Sequence, residues 1–131
     1  MALIRSFRDL NVYKSARREA RVIFERSRNF PTEERYALTD QVRRSSRAVK
    51  ALIAEAWGRR RYPAVFINKI DEALGEATET QSWLDDCLDC GYISPVEFTR
   101  MDGAWQSIGA MLKKMIDRGE DFCRGSQPTT D

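Results

Sequence analysis

The chain contains no histidine among its 131 residues. That removes Ser-His-Asp and Cys-His devices, in which an imidazole moves the proton. It also removes the Glu-x-x-His pairs with which helical bundles hold di-iron centres. Glu55, Glu76 and Glu79, which fall on neighbouring helical segments, are therefore not read as metal ligands; Glu55 and Glu79 are expected to be solvated or paired with Arg43 or Arg44. Cysteine is scarce: three residues, an odd number, build no disulfide framework and point to a reducing, cytoplasmic setting. Cys87-x-x-Cys90 lacks the four ligands of a structural zinc site, since only Cys123 is left to join it. The pair falls in the last turn of a helix beside Asp85, Asp86 and Asp89, where a thiolate is disfavoured, and is read as incidental half-buried cysteines. No Gly-x-x-x-x-Gly-Lys loop is present to cradle phosphates. No apolar run approaches the ~20 residues that span a bilayer, and the opening residues, Met1 to Arg8, are too short and too charged for a secretory signal. These absences predict a non-enzymatic chain with no cofactor, no metal and no membrane partner.

What the sequence does have is helical periodicity. Hydrophobic residues make up 42% and charged residues 32%, a balance that fits one globular domain with long exposed helical faces. The first helix is expected over Asp9–Asn29, with Tyr13, Ala16, Ala20, Ile23 and Phe24 on one face and Asn29-Phe30-Pro31 ending it. A second is expected from Thr32 as N-cap, with Glu33 and Glu34 in its first turn, to Gly58 and Arg59-Arg60-Arg61. Its stripe is Leu38, Val42, Ser45, Val49, Leu52, Ile53 and Ala56. The third begins near Tyr62-Pro63, carries Phe66, Ile70, Ala73, Leu74, Ala77, Leu84 and Leu88, and stops at Gly91. Ser94-Pro95-Val96-Glu97 reads as a capping box that opens the fourth, whose stripe is Phe98, Met101, Trp105, Ile108, Leu112, Met115 and Ile116. Gly103 and Gly109 inside it mark either a close helix contact or a tolerated weak spot. Short loops make neighbouring helices antiparallel. The expected fold is all-α, an antiparallel up-down-up-down four-helix bundle over residues 1–123, with a disordered tail over 124–131.

Charge is divided along the chain. Residues 1–69 carry 17 Lys and Arg against 7 Asp and Glu, and residues 70–131 carry 5 against 13, although the net charge is only +2. The cations concentrate at Arg43, Arg44, Arg47 and Lys50 on the second helix and at Arg59, Arg60 and Arg61 at its end, with Arg17, Arg18 and Arg21 on the first. Arg43, Arg47 and Lys50 share one helical stripe. Two readings stay open. The set binds phosphates, which requires several cations spaced along a backbone, with Trp57 and Tyr62 as neighbouring aromatics. Alternatively it pairs with the acidic half of the same or a neighbouring subunit. Both hold together if an assembly leaves one basic face open. Trp105 is a core residue. Trp57 and Trp83 lie off their stripes and are expected at an interface between subunits.

An ordered set of residues gives a family resemblance. It runs Phe7-x-Asp9-Leu10-x-Val12-Tyr13-x-x-Ala16, Phe30-Pro31-x-x-Glu34, Leu38-x-x-Gln41-x-Arg43-Arg44-Ser45, Ile53-Ala54-Glu55, Gly58-Arg59, Phe66, Ala73-x-Gly75, Glu79 and Gly91-Tyr92-Ile93. Over roughly Phe7 to Ile116 the chain resembles the 23S rRNA intervening-sequence proteins, also called S23 ribosomal proteins. Where that family shows Asn-Ile-Ala-Glu-Gly, this chain has Leu52 for the Asn and Ala56 for the Gly. The resemblance implies a four-helix bundle that assembles with itself as a ring, a homopentamer. It also implies kinship in architecture with the accessory protein of diversity-generating retroelements, which binds nucleic acid and a reverse transcriptase. RNA or an RNA-handling protein is accordingly the expected partner. The family name reflects gene location within an rRNA insert and carries no implication of ribosome binding.

Overall fold

The computed structural model of the chain describes residues 3–123. The tail expected over 124–131 lies outside the described residues. Four long helices run alternately up and down: α1 (Asn11–Ser27), α2 (Leu38–Gly58), α3 (Pro63–Asp89) and α4 (Pro95–Asp117), followed by a short α5 (Gly119–Cys123). The all-α, antiparallel four-helix bundle expected from the periodicity is what forms, with no strand among the described residues.

Local chemistry sets the helix ends. Two starts differ from expectation. Ser6 and Asp9 close a 3-10 turn of their own over Phe7–Asp9, in which Asp9 Oδ2 accepts from the Ser6 amide at 3.1 Å, so α1 begins at Asn11 rather than Asp9. Thr32 does not cap α2. Thr32–Glu34 is a separate 3-10 turn, and Ala37, at φ −121° and ψ −108°, interrupts the backbone before α2 starts at Leu38. Glu34 is held elsewhere, since its Oε2 accepts from the Tyr92 hydroxyl at 2.9 Å and ties this turn to the α3–α4 loop.

The end of α3 follows the sequence reading closely. Gly91 adopts φ +75°. The Tyr92 amide donates to Cys87 O and the Gly91 amide to Leu88 O. This is the double bond pattern that glycine permits at a helix terminus. Ser94 then opens α4 by the expected box, with Glu97 N donating to Ser94 Oγ at 3.1 Å and Ser94 N to Glu97 Oε1 at 2.9 Å.

The core is a continuous column. Val42, Val49, Ile53, Phe66, Ile70, Leu84, Trp105, Ile108 and Leu112 are all fully buried. Ala16, Ser45, Ala73 and Ala77 sit among them and keep the helices close. The α2–α3 seam is the most extensive and α1–α4 the thinnest of the adjacent pairs. Across α2–α3, the buried Thr80 hydroxyl meets Ser45 Oγ at 2.9 Å. The α1–α4 seam depends on Arg26, whose Nε bonds Glu97 Oε2 at 2.7 Å while Nη2 bonds Tyr92 O at 2.6 Å. These contacts hold Glu97 well below the ordinary carboxylate range, at about 2, through the Arg26 bond first and the Ser94 amide second. Glu19, on the same flank of α1, is 4% exposed and lies 3.3 Å from Arg18 Nε and 3.8 Å from Arg100 Nη1.

α5 folds back onto the base of the bundle. Gly119 makes this seat, since a Cβ there would lie 2.8 Å from Ile67 Cγ1. Phe122 then stacks on Phe66 with centroids 5.7 Å apart. Gly103 and Gly109 have no such role within the chain: nothing lies within 4 Å of a Cβ at Gly103, and one at Gly109 would make an ordinary 3.6 Å contact with Leu74. The close contact considered for them is therefore not one between helices of this chain.

Candidate functional site

The fold separates the basic residues of α2 and its end into three groups. Arg44 faces α3. Its guanidinium bonds Glu79 through Nη2 and lies 3.4 Å from Glu76 through Nη1. Glu79 also accepts from Trp83 Nε1 at 3.1 Å. Glu55, at the other end of this seam, pairs with Lys69 at 3.5 Å rather than with an arginine. The expected intrachain pairing is therefore met by Arg44 and not by Arg43.

Arg43, Arg47 and Lys50 form the second group, on the flank of α2 that faces α1 or solvent. None of the three has a carboxylate within 4.0 Å among the described residues, in contrast to Arg44 and Lys69. Arg43 Nε donates to Ser27 Oγ at 2.7 Å, and Ser27 in turn donates to Phe24 O at 3.0 Å. The Arg43 and Arg47 guanidiniums lie 4.8 Å and 5.1 Å from the centroid of the Phe24 ring, and Arg28 approaches the same ring at 5.9 Å. An aromatic face attracts cations through its quadrupole, worth roughly 0.5–1 kcal/mol each at exposed sites. That attraction gathers like charges that would otherwise separate. The cost is visible at Arg43, whose pKa is drawn below the ordinary arginine value by burial first and then by Arg47 and Arg28.

The third group occupies the base of the bundle. Arg60 is taken up by the fold, with its guanidinium 3.5 Å from the Trp57 ring centroid and its Nε donating to Trp57 O at 3.0 Å. Arg61 lies 5.1 Å from the half-exposed Tyr62 ring, and Arg59 is exposed. Trp57, expected at an interface between subunits, is covered within its own chain. It is 8% exposed within the single chain, since it lies one turn beyond the buried Ile53 and the Arg60 guanidinium covers its ring. Trp83 is half-buried against the core.

Along α1 an open groove of about 470 Å³ is lined by Arg18, Arg21, Val22, Glu25, Arg26 and Asn29. Arg21 stands one turn before Phe24 and extends the cationic surface along α1. Phe24, Ser27 and Arg28 are the members of this surface that sequence reasoning missed. Nothing in the sequence signalled them: Phe24 lies three residues before the end of α1 and Arg47 nine residues after the start of α2, an offset in register that counting from the turn does not supply.

No group of three or more His, Cys, Asp or Glu side chains among the described residues is arranged to hold a metal ion. No helix among them is long and apolar enough to cross a membrane. Cys87 is buried and Cys90 exposed. Burial, then the Asp86 charge, pushes the Cys87 thiol up to about 12.

No curated protein matches the chain. A solved structure does: a protein of unknown function from the S23 ribosomal protein family of Bacteroides thetaiotaomicron, 27% identical, with a TM-score of 0.74 over 81% of this chain and 95% of that one. The family model described as 23S rRNA-intervening sequence protein matches residues 8–114. With that match spanning most of its length and the bundle shared with the S23 protein, the chain belongs to the 23S rRNA-intervening sequence protein family.

Proposed function

We propose that this bundle is a non-enzymatic binding protein whose α1–α2 face takes nucleic acid, RNA in the first instance, and that it does so as a self-assembled ring. One observation carries the reading: Arg43, Arg47 and Lys50 are left without carboxylate partners on a face where α1 adds Arg21 and Arg28, while Arg44 and Lys69 on the opposite seam are paired. Unpaired cations along one ridge attract a phosphate backbone and release its counterions. The ring, and a homopentamer in particular, is supported by the family resemblance and by the division of charge between the two halves of the chain.

A second reading has its own observation. Asp85, Asp86 and Asp89 are exposed near the end of α3 and have no ion pair among the described residues. They would suit the basic face of a neighbouring copy, making the protein a purely structural or protein-interaction oligomer. Head-to-tail contacts of this kind join unlike surfaces.

Light scattering across a salt series, with and without mixed-sequence RNA, separates the two. An oligomer that gains mass with RNA at low salt and loses it as salt rises supports the nucleic-acid reading. An oligomer of constant mass that ignores RNA supports the second reading and overturns the first. A monomer under all conditions overturns the ring.

A further inference from the structure

The geometry points to a phosphate-binding site built by Phe24, Arg28, Arg43 and Arg47, at which a sugar-phosphate backbone is held without base recognition. Identifying the phosphate's carrier as nucleic acid rests on the function proposed above; the site itself rests on the cluster.

Three features argue for it. The guanidiniums converge on one ring, at 4.8, 5.1 and 5.9 Å from its centroid, so they are held near one another and cannot disperse as surface cations ordinarily do. Arg43 is oriented as well as positioned, because its Nε is bound to Ser27 Oγ at 2.7 Å, and no carboxylate lies within 4.0 Å of Arg43 or Arg47 among the described residues. The one acidic neighbour in the cluster, Glu25, meets Arg28 Nη1 at 3.4 Å in an exposed i,i+3 pair, which an incoming anion displaces at little cost.

The shape selects the anion. A carboxylate is satisfied by one planar guanidinium fork. A tetrahedral phosphate offers oxygens in several directions and suits forks arriving from two helices. Phe24 is occupied by the cations that it gathers, so it organises them instead of stacking a base. Lys50 continues the stripe about 10 Å beyond Arg43 along α2, farther than a single phosphate reaches and suited to the next groups of a polyanionic chain.

The first test titrates the full-length protein with pyrophosphate and follows arginine side-chain Nε–Hε resonances by NMR. Arg28, Arg43 and Arg47 should shift together, before Arg59 and Arg61. Uniform movement of all exposed arginines overturns the site. The second test measures binding of mixed-sequence single-stranded RNA to Phe24→Leu, Arg47→Gln and Arg61→Gln, each checked by thermal unfolding. Phe24→Leu changes no charge, yet it should weaken binding about tenfold by releasing the guanidiniums. Arg47→Gln should weaken it more than Arg61→Gln, although each removes one charge from an exposed position. Equal losses at 47 and 61 with none for Phe24→Leu mean diffuse attraction; that overturns the site and leaves the broader RNA reading standing. Pyrophosphate shifts at the cluster with no RNA binding overturn the RNA reading and leave the site. A polyglutamate peptide that competes as well as RNA overturns the assignment to phosphate.

Discussion

Arg43 and Arg44 are adjacent in the chain and meet opposite surroundings. A turn of about 100° per residue sends Arg44 to the α2–α3 seam, where Glu76 and Glu79 receive it, and Arg43 to the α1–α2 face, where it meets Ser27, Phe24 and other arginines. The α2–α3 seam is extensive, with a buried Ser45–Thr80 contact and charges matched at both ends. The α1–α2 face gathers cations and leaves Arg43 and Arg47 with no carboxylate within 4.0 Å among the described residues, Arg28 alone meeting Glu25 there. The first arrangement serves stability. The second spends some stability to keep charge concentrated, which is what a site for an external polyanion requires.

The sharpest way to break the comparison is to empty each side in turn. Phe66→Ala removes a fully buried ring on α3 that also anchors Phe122, and should cost about 3–5 kcal/mol in denaturant unfolding. Phe24→Leu, on the other face, should cost much less, since Phe24 is half-buried. Next in size is Thr80→Val, which strips the Ser45 hydroxyl of its cross-seam partner and should cost about 1–3 kcal/mol; adding Ser45→Ala should recover part of that loss.

The charged pair itself gives a smaller contrast. Arg44→Gln should lower stability by roughly 0.2–1 kcal/mol, as expected for a half-exposed ion pair. Arg43→Gln should cost less than Arg44→Gln, because the loss of its Ser27 bond and Phe24 contact is offset by relief from burial of the charge and from repulsion by Arg47 and Arg28. A loss at Arg43→Gln equal to that at Arg44→Gln would remove the distinction between the two faces.

A contrast read through pH concerns the thin α1–α4 seam. Glu97 has its folded pKa depressed to about 2 from an ordinary value of 4.5. Its contribution is therefore complete above about pH 4.5 and is lost as pH falls towards 2. Wild-type stability should decline over that window, and Glu97→Gln should flatten this part of the acid limb while lowering stability near neutrality. An unchanged acid profile in the variant would mean that Arg26 and Glu97 do not staple the seam.

Much of this was legible in the sequence. The stripes of α2, α3 and α4 gave the buried faces, Gly91 gave the end of α3, and Ser94-Pro95-Val96-Glu97 gave the start of α4, because each is decided by local chemistry. The start of α2 was not legible, since Thr32 and Glu34 read as a helix opening until Tyr92, distant in sequence, claims Glu34. The cover over Trp57 was not legible for a related reason: it comes from Arg60, beyond the end of the helix. At the candidate site, stripe membership grouped Arg43, Arg47 and Lys50 but could not say whether Arg43 or Arg44 would meet the carboxylates of α3. That separation depends on the register of two hairpins at once, and register also brings Phe24 and Arg28 into the cluster.

The central claim is that unpaired cations on the α1–α2 face bind nucleic acid while paired ones on the α2–α3 seam do not. The most direct test is the salt dependence of RNA affinity for the wild type, for Arg43→Gln/Arg47→Gln and for Arg44→Gln. The double variant should weaken binding and reduce the slope of log affinity against log salt by about 1.4, from roughly 0.7 per phosphate contact on a single strand. Arg44→Gln should leave affinity and slope near the wild-type values. Equal slopes for all three proteins, or a larger loss at Arg44→Gln, would contradict the account.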